Sequence, residues 1–390
     1  MATILFAWEL GANLGHLIPI SRIAQRIDEG SHRCVFALGD LAHARAVLGS
    51  EAQILQAPLW PRHRHFGAVP GALSSYADVL TGVGFADPAK VAAVAGAWTS
   101  LIELVRPDLI VADHSPGLLV ALFGTGIRAI AIGTGFTMPP LDYDQFPPLR
   151  GDLAPAVPEL RLLEAVRDAK ALVGGKRPAN LLDVFRTRDR VVFGLPELDP
   201  YQSFRREPMV APPGGLPSAQ PWPRERRLFV YAGAEMIGLD ILLQALATVD
   251  VKQEAYLRGD AGPGREFLRL RGATVHDTPP PLEEVLRTAS HVLTQGGAGT
   301  IAAAYTAGRP QLVVTSHDES SLNLDLLKRG GVGTGLEITE NTKDVAAAIG
   351  KFIDDPALPD NALEAANRIA RRVLPDGADV AAAAIRAALA

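Results

Sequence analysis

The chain has 390 residues, enough for two domains of ordinary size; it is 48% hydrophobic, with 37 Gly and 30 Pro, and can bury substantial cores. A net charge of −5 gives no general reason to expect a nucleic-acid partner. One cysteine, Cys34, excludes an intrachain disulfide framework and fits a reducing, cytoplasmic setting.

The N-terminus, MATILFAWEL, lacks the basic, apolar and cleavage regions of a signal peptide. Its TILFAWEL reads as a first strand. GANLGH follows, with Gly11 and Gly15 allowing close backbone approach and His16 opening the helix LIPISRIAQRI. RCVFAL and AQILQ read as the second and third strands. WPRHRHFG, residues 60–67, gathers Arg62, His63, Arg64 and His65. A solvated loop is its plainer reading, and an acceptor-side loop suited to an anionic substrate is the alternative. DLIVAD and RAIAIG are further buried strands around the helix GLLVALFG. Asp113, His114, Pro116 and Arg128 interrupt this apolar region, so it reads as core and no membrane span is expected. The alternation argues for a parallel sheet with crossover helices.

Residues 134 to about 204 show no βα rhythm. Six prolines between Glu207 and Pro223 mark a linker, because proline blocks both helix and ladder hydrogen bonds. The rhythm resumes in RLFVYAG, QEAYLRG, ATVHD, HVLTQGG and PQLVVTS. The expected layout is a first Rossmann-like domain over 1–206, a linker over 207–223 and a second over 224–360. Two tail helices follow over 361–390, with a turn at LPDG.

Ligands of doubly wound sheets gather beyond the carboxyl ends of the strands. GANLGH lies there, and Asp113 ends the DLIVAD strand. A 3-2-1-4-5 strand order lets His16 and Asp113 meet, so that the carboxylate orients one imidazole nitrogen while the other takes a proton. A helix-capping His and a turn Asp are the structural alternative. In the second half, TQGGAGT stands between a strand and a small-residue helix whose N–H groups suit a diphosphate, with Thr300 able to cap or donate. A tight turn with packing glycines is the competing reading. YAGAE is a similar turn, and its Gly233 and Ala234 offer further N–H groups. HDES, residues 317–320, lacks metal-ligand spacing, and no metal or cofactor is expected.

The order and spacing of GANLGHLIP, VADHSPGLLVALFGTGIRAIAIGTGF and the stretch from PPPLEEVLRTAS through LTQGGAGTIAAAYTAGRP to LKRGGVG resemble the GT-B nucleotide-sugar glycosyltransferases, of the UDP-glycosyltransferase type that decorates small molecules. The likeness spans nearly the whole chain. It implies two Rossmann-like domains facing across a cleft, with the tail packing back on the first. It implies an inverting transfer from a UDP- or TDP-sugar to a small-molecule hydroxyl, with His16 as base and Asp113 orienting it. The donor would meet Gly233, Ala234, Gln295, Gly296, Gly297, Gly299, Thr300, Glu319, Ser320 and Asn323, with Val275 and His276 near the base. Gly15, Arg62, Arg64 and Phe136 would lie on the acceptor side. Three positions depart from the pattern: Gln295 stands where His is usual, Ser320 where Gln often occurs, and Ala234 where Ser is frequent. The alternatives are a non-catalytic nucleotide-sugar binder or auxiliary partner, and an NAD-dependent oxidoreductase with Asp40 after the second strand. GANLGH lacks the middle glycine that the last requires. Acceptor identity, donor sugar and oligomeric state are not legible.

Overall fold

The computed structural model describes residues 1–11, 14–27, 32–61, 73–151 and 153–390. The chain divides into two compact units, residues 1–215 with 374–390, and residues 216–373.

The first unit runs β1 (Thr3–Trp8), α1 (Leu14–Ile27), β2 (Arg33–Leu38), α2 (Ala44–Leu48), β3 (Gln53–Gln56), α3 (Tyr76–Val83), α4 (Pro88–Val105), β4 (Leu109–Asp113), α5 (Pro116–Leu122), β5 (Ala129–Thr134), α6 (Glu159–Leu172), β6 (Asp189–Phe193) and β7 (Met209–Val210). All seven strands are parallel, in the order β3-β2-β1-β4-β5-β6-β7. Strands buried on both faces read as continuous apolar runs, which is why TILFAW and LIVAD were legible. The register sets Trp8 beside Asp113 at the carboxyl ends of β1 and β4. This is the switch point, where crossovers leave in opposite directions and a crevice opens.

Local chemistry fixes the helices around it. Asp87 caps α4 by accepting from the N–H groups of Ala89 and Lys90, and Pro88 supplies a preset first turn. By length and composition α4 is apolar enough to cross a membrane. Its Val91, Val94, Ala95, Trp98 and Ile102 are buried, a helical spacing that gives one inward face. In α1, Leu17, Ile20, Ile23, Ala24 and Ile27 form such a stripe, packed with Ile4, Phe6 and Trp8 of β1. Each large side chain buried in this way contributes about 1.5–3 kcal/mol.

The second unit runs β8 (Arg227–Gly233), α7 (Leu239–Leu246), β9 (Lys252–Arg258), α8 (Gly262–Arg269), β10 (Thr274–His276), α9 (Leu282–Thr288), β11 (His291–Thr294), α10 (Ala298–Thr306), β12 (Gln311–Val313), α11 (Asp318–Arg329), β13 (Gly333–Gly335), α12 (Thr342–Asp354) and α13 (Ala357–Ala370). Its parallel order is β10-β9-β8-β11-β12-β13, with the switch point between β8 and β11. The last helix, α14 (Gly377–Leu389), belongs to the first unit.

The boundaries differ from the expected ones for local reasons. Met209 and Val210, inside the expected linker, pair with β6, and Ala211 donates to Pro375 O, so the chain leaves the first unit only at Gly214–Gly215. Both glycines have positive φ, 90° and 77°, as a sharp exit requires. The tail divides. Helix α13 packs in the second unit, with Leu363 and Ala366 against Gly308 at the end of α10. Helix α14 buries Ala378, Ala381, Ala382 and Ile385 in the cluster that holds α1 and β1.

Candidate active site

In the first unit, the switch point brings His16 and Asp113 together. His16 lies in the first turn of α1, and its Nδ1 is 2.9 Å from Oδ2 of Asp113 at the end of β4. Their side chains are 18% and 4% exposed, so the carboxylate is sunk and the imidazole reaches the surface. An ionised carboxylate only accepts, so Nδ1 carries the proton toward it and Nε2 is the basic nitrogen. The rings of Trp8 and His114 stack on His16, with centroids 5.2 and 5.8 Å away. Gly11 has φ 105°, and a Cβ there would stand 2.5 Å from Nε2, so its hydrogen keeps the basic nitrogen approachable. Burial and the neighbouring His16 push His114 down to about 3, so it stays neutral.

Glu9, one residue past β1, is a group that sequence reasoning missed. Its Oε1 accepts from Trp60 Nε1 at 2.5 Å and Gly117 N at 2.9 Å. Its Oε2 accepts from Trp98 Nε1 at 2.7 Å and Leu118 N at 3.0 Å. Burial pushes the carboxyl up to about 7, against four donors that each pull it down. One side chain thus ties the turn after β1 to α4, to α5 and to the residue before Pro61. An acidic residue ending an apolar strand was the available signal.

In the second unit, Gly296 has φ 83° and Gly297 is the N-cap of α10. A Cβ on Gly296 would meet Ser320 Cβ at 2.8 Å, whereas one on Gly297 or Gly299 would meet nothing within 4 Å. Gly296 is therefore required by the fold, and Gly297 and Gly299 keep space open in front of the helix. The first hydrogen bond of the helix runs from Ile301 N to Gly297 O, so the N–H groups of 298–300 precede the ladder and suit an anion. Asn323 Nδ2 holds the loop from behind through Gly296 O at 2.9 Å. Gln295 bridges the switch point, accepting the buried Gly233 N–H on Oε1 at 2.7 Å. A backbone N–H can only donate, so this bond fixes the amide orientation and leaves Nε2 as the donating end.

A model of the erythromycin biosynthesis protein CIII-like C-terminal domain matches residues 242–386. A PGL/p-HBAD biosynthesis glycosyltransferase of Mycobacterium tuberculosis (strain ATCC 25177 / H37Ra) is 27% identical over 314 residues, 71% of this chain and 69% of that one. The solved calicheamicin glycosyltransferase CalG4 superimposes with a TM-score of 0.69 at 18% identity, covering 100% of this chain and 98% of its own. The chain has the GT-B fold, and its matched relatives are named glycosyltransferases. The glycosyltransferase VinC, solved in complex with DTDP, also superimposes, with a TM-score of 0.63 at 15% identity over 100% of neither chain but 99% of both.

Several residues expected at the donor site of this glycosyltransferase are already engaged. The N–H of Gly233 is held by Gln295, and that of Ala234 by Arg258 O at 2.9 Å, so neither remains for a phosphate. Ser320 is fully buried: its Oγ accepts from Ser316 N and His317 N and donates to His317 O at 2.6 Å. That side chain caps α11 and has no proton left for a sugar. Glu319 sits in the first turn of the same helix, half-buried. His276 Nε2 is 2.8 Å from Glu254 Oε1, a pair on adjacent strands, and Val275 pairs with Ala255 in the same ladder. Thr300 is buried in the first turn of α10. On the acceptor side, Gly15 is exposed beside His16, and Phe136 is buried in the loop after β5. Arg62 and Arg64 lie outside the described residues. Asp40, the basis of the nicotinamide alternative, accepts from Ala42 N at 2.9 Å in a local turn.

Proposed function

We propose that this glycosyltransferase moves a sugar from a nucleoside-diphosphate sugar, UDP- or TDP-linked, to a hydroxyl of a small molecule with inversion at the anomeric carbon. His16 Nε2 takes the acceptor's hydroxyl proton, and Asp113 holds Nδ1–H and offsets the imidazolium charge that forms. The acceptor oxygen bonds to the anomeric carbon as the bond from that carbon to the diphosphate oxygen breaks. The leaving charge is met by the N–H groups of 298–300 and the amide of Gln295, without a call on metal. The observation that carries this reading is the 2.9 Å His16–Asp113 contact at the switch point of the first sheet. The names of the matched proteins, drawn from erythromycin, PGL/p-HBAD and calicheamicin biosynthesis, support a small-molecule acceptor, and the DTDP complex of VinC supports the donor class.

The test is turnover with UDP- and TDP-sugars over an acceptor panel, with product configuration read by NMR. His16→Ala should lower turnover by roughly 10²–10⁴-fold and leave nucleotide binding intact. Near-normal turnover by that variant removes His16 from the role. Nucleotide binding with no turnover by the parent over the whole panel would instead support a non-catalytic binder.

A further inference from the structure

The proposed reaction meets a diphosphate, which carries several negative charges, with neutral donors only. A cation stands close by. Arg258 ends β9, and the register pairs it with Gly233 at the end of β8, where the Gln295 side chain is anchored. Side chains alternate along a strand, which decides the face they share. Phe229, Tyr256 and the partly buried Tyr231 pack in the cluster that holds Ala303, Ala304 and Ala307 of α10. Gly233 and Arg258, each two residues past one of these tyrosines, turn to that same face. They stand at the carboxyl edge, where α10 begins. The Arg258 side chain and the open N–H groups of 298–300 therefore share one face and one edge of the sheet. β8 lies between β9 and β11, so the ends of those two strands are about 10 Å apart, a gap that an arginine side chain and a diphosphate fill together.

The Arg258 backbone is firmly mounted. Its carbonyl accepts from Ala234 N at 2.9 Å, and Arg265 Nη1 donates to the flanking carbonyls of Leu257 and Gly259 at 2.9 and 3.1 Å. Its guanidinium bonds, through Nη2, to Oε1 of Glu235 in the turn after β8. That carboxylate folds back over Gly233, where a Cβ would run into both of its oxygens. An anion thus already rests on the switch point. The Glu235 side chain is 58% exposed and that of Arg258 18%. An ion pair so open to water is weak and gives way readily to a better anion.

We propose that Arg258 binds the donor's diphosphate, and that Glu235 holds the guanidinium over the switch point until the donor displaces it. The proposal rests on the nucleotide-sugar reading and adds to it a fixed cation that faces the N–H groups of 298–300 across the phosphates. Arg258 supplies the charge that the neutral Gln295 does not, and its planar fork suits two phosphate oxygens at once. Because it acts on charge, it favours a nucleoside diphosphate over the bare nucleoside. Glu235 competes with the ligand for the same guanidinium, so removing that carboxylate tightens binding.

Calorimetric titration of the full chain with UDP and TDP, and ligand-observed NMR titration with uridine, test this. Arg258→Gln should weaken both diphosphates by about tenfold or more and leave uridine within about twofold. Glu235→Gln should do the opposite and bind both diphosphates up to about fivefold more tightly, a gain that a poorly folded variant cannot imitate. In the double variant that gain should vanish, because the guanidinium that Glu235 competes for is gone. The proposal is overturned if Arg258→Gln binds both diphosphates as tightly as the parent, or if uridine weakens as steeply as they do. It is also overturned if Glu235→Gln binds no more tightly than the parent, or if the double variant keeps the gain in full. Those outcomes, with UDP or TDP bound by the parent, leave the nucleotide-sugar reading standing. A parent that binds neither nucleotide removes both, and one that shows the expected variant effects yet transfers no sugar removes only the transferase reading.

Discussion

Gln295→Glu changes the donating end of one side chain and little else. The oxygen that receives Gly233 N–H at 2.7 Å is kept, so the switch point of the second sheet stays bridged. The NH₂ that would face a diphosphate becomes a carboxylate oxygen. Losing a hydrogen bond to a charged phosphate costs about 1.5–3 kcal/mol. Repulsion between the new carboxylate and the phosphates adds about 1 kcal/mol or more at a half-exposed, screened site. The sum corresponds to a loss of about 100-fold or more in nucleotide affinity. Gln295→Leu provides the contrast. It loses the same donor without the repulsion, for about 10- to 150-fold in affinity, but strips the buried Gly233 N–H of its partner and destabilises the fold by about 1–3 kcal/mol. Calorimetric titration with UDP and TDP, alongside thermal melting, separates the two patterns. If Gln295→Glu binds either nucleotide within threefold of the parent, the amide does not face a diphosphate and the account of this residue is wrong.

A Cβ on Gly297 would meet no protein atom within 4 Å, so Gly297→Ala should melt like the parent, and the bulkier Gly297→Val should bind UDP and TDP at least tenfold more weakly. Gly296→Val, with φ 83° and Ser320 in its path, should instead lose stability by more than 2 kcal/mol; equal melting of Gly297→Ala and Gly296→Val would refute this division of labour. Gly11→Ala should cut turnover while leaving nucleotide titrations unchanged, because its Cβ crowds His16 Nε2; undiminished turnover would contradict that placement. His291, 1% exposed with Nε2 unpartnered among the described residues, packs on Trp222 and Phe352, and burial pushes it down to about 4. Between pH 6.5 and 4 the unfolded chain takes up a proton there that the folded chain refuses, so stability falls with pH by up to about 3 kcal/mol. His291→Phe should soften that acid loss, and parallel melting-temperature profiles from pH 7 to 4.5 would count against it.

The buried central strands were legible because parallel strands covered on both faces are apolar throughout. Strand β6 was not, since DRVVF opens with two charged residues, and Arg190 is occupied by Glu207 and Pro139. The three residues of β13, Gly-Thr-Gly, carry no apolar signal at all and join the sheet through backbone pairing with β12. The His16–Asp113 meeting could be anticipated once a strand order was assumed. The partner of Gln295 could not, because Gly233 lies 62 positions away and offers only a backbone group. Ser320 is expected at the donor from the sequence, where a hydroxyl is common to ligand contacts and helix caps alike. Only the fold reveals that three hydrogen bonds at the start of α11 have already claimed it.

The return of α14 to the first unit bears on the order in which the protein can be made. As the chain emerges from the ribosome, β1 and α1 appear before the second unit, but Ala378, Ala381, Ala382 and Ile385, which share a core cluster with Ile20 and Ile23, come only after the whole second unit has been synthesised. Arg128 likewise waits for the carbonyl of Ala388. The second unit is continuous and can fold while the first is still missing a wall. Until the last helix arrives, the helix bearing His16 rests on an open apolar seam, exposed to chaperones and proteases. A nonsense mutation just before residue 377 would therefore remove no proposed catalytic group and still disable the half of the molecule that was translated first.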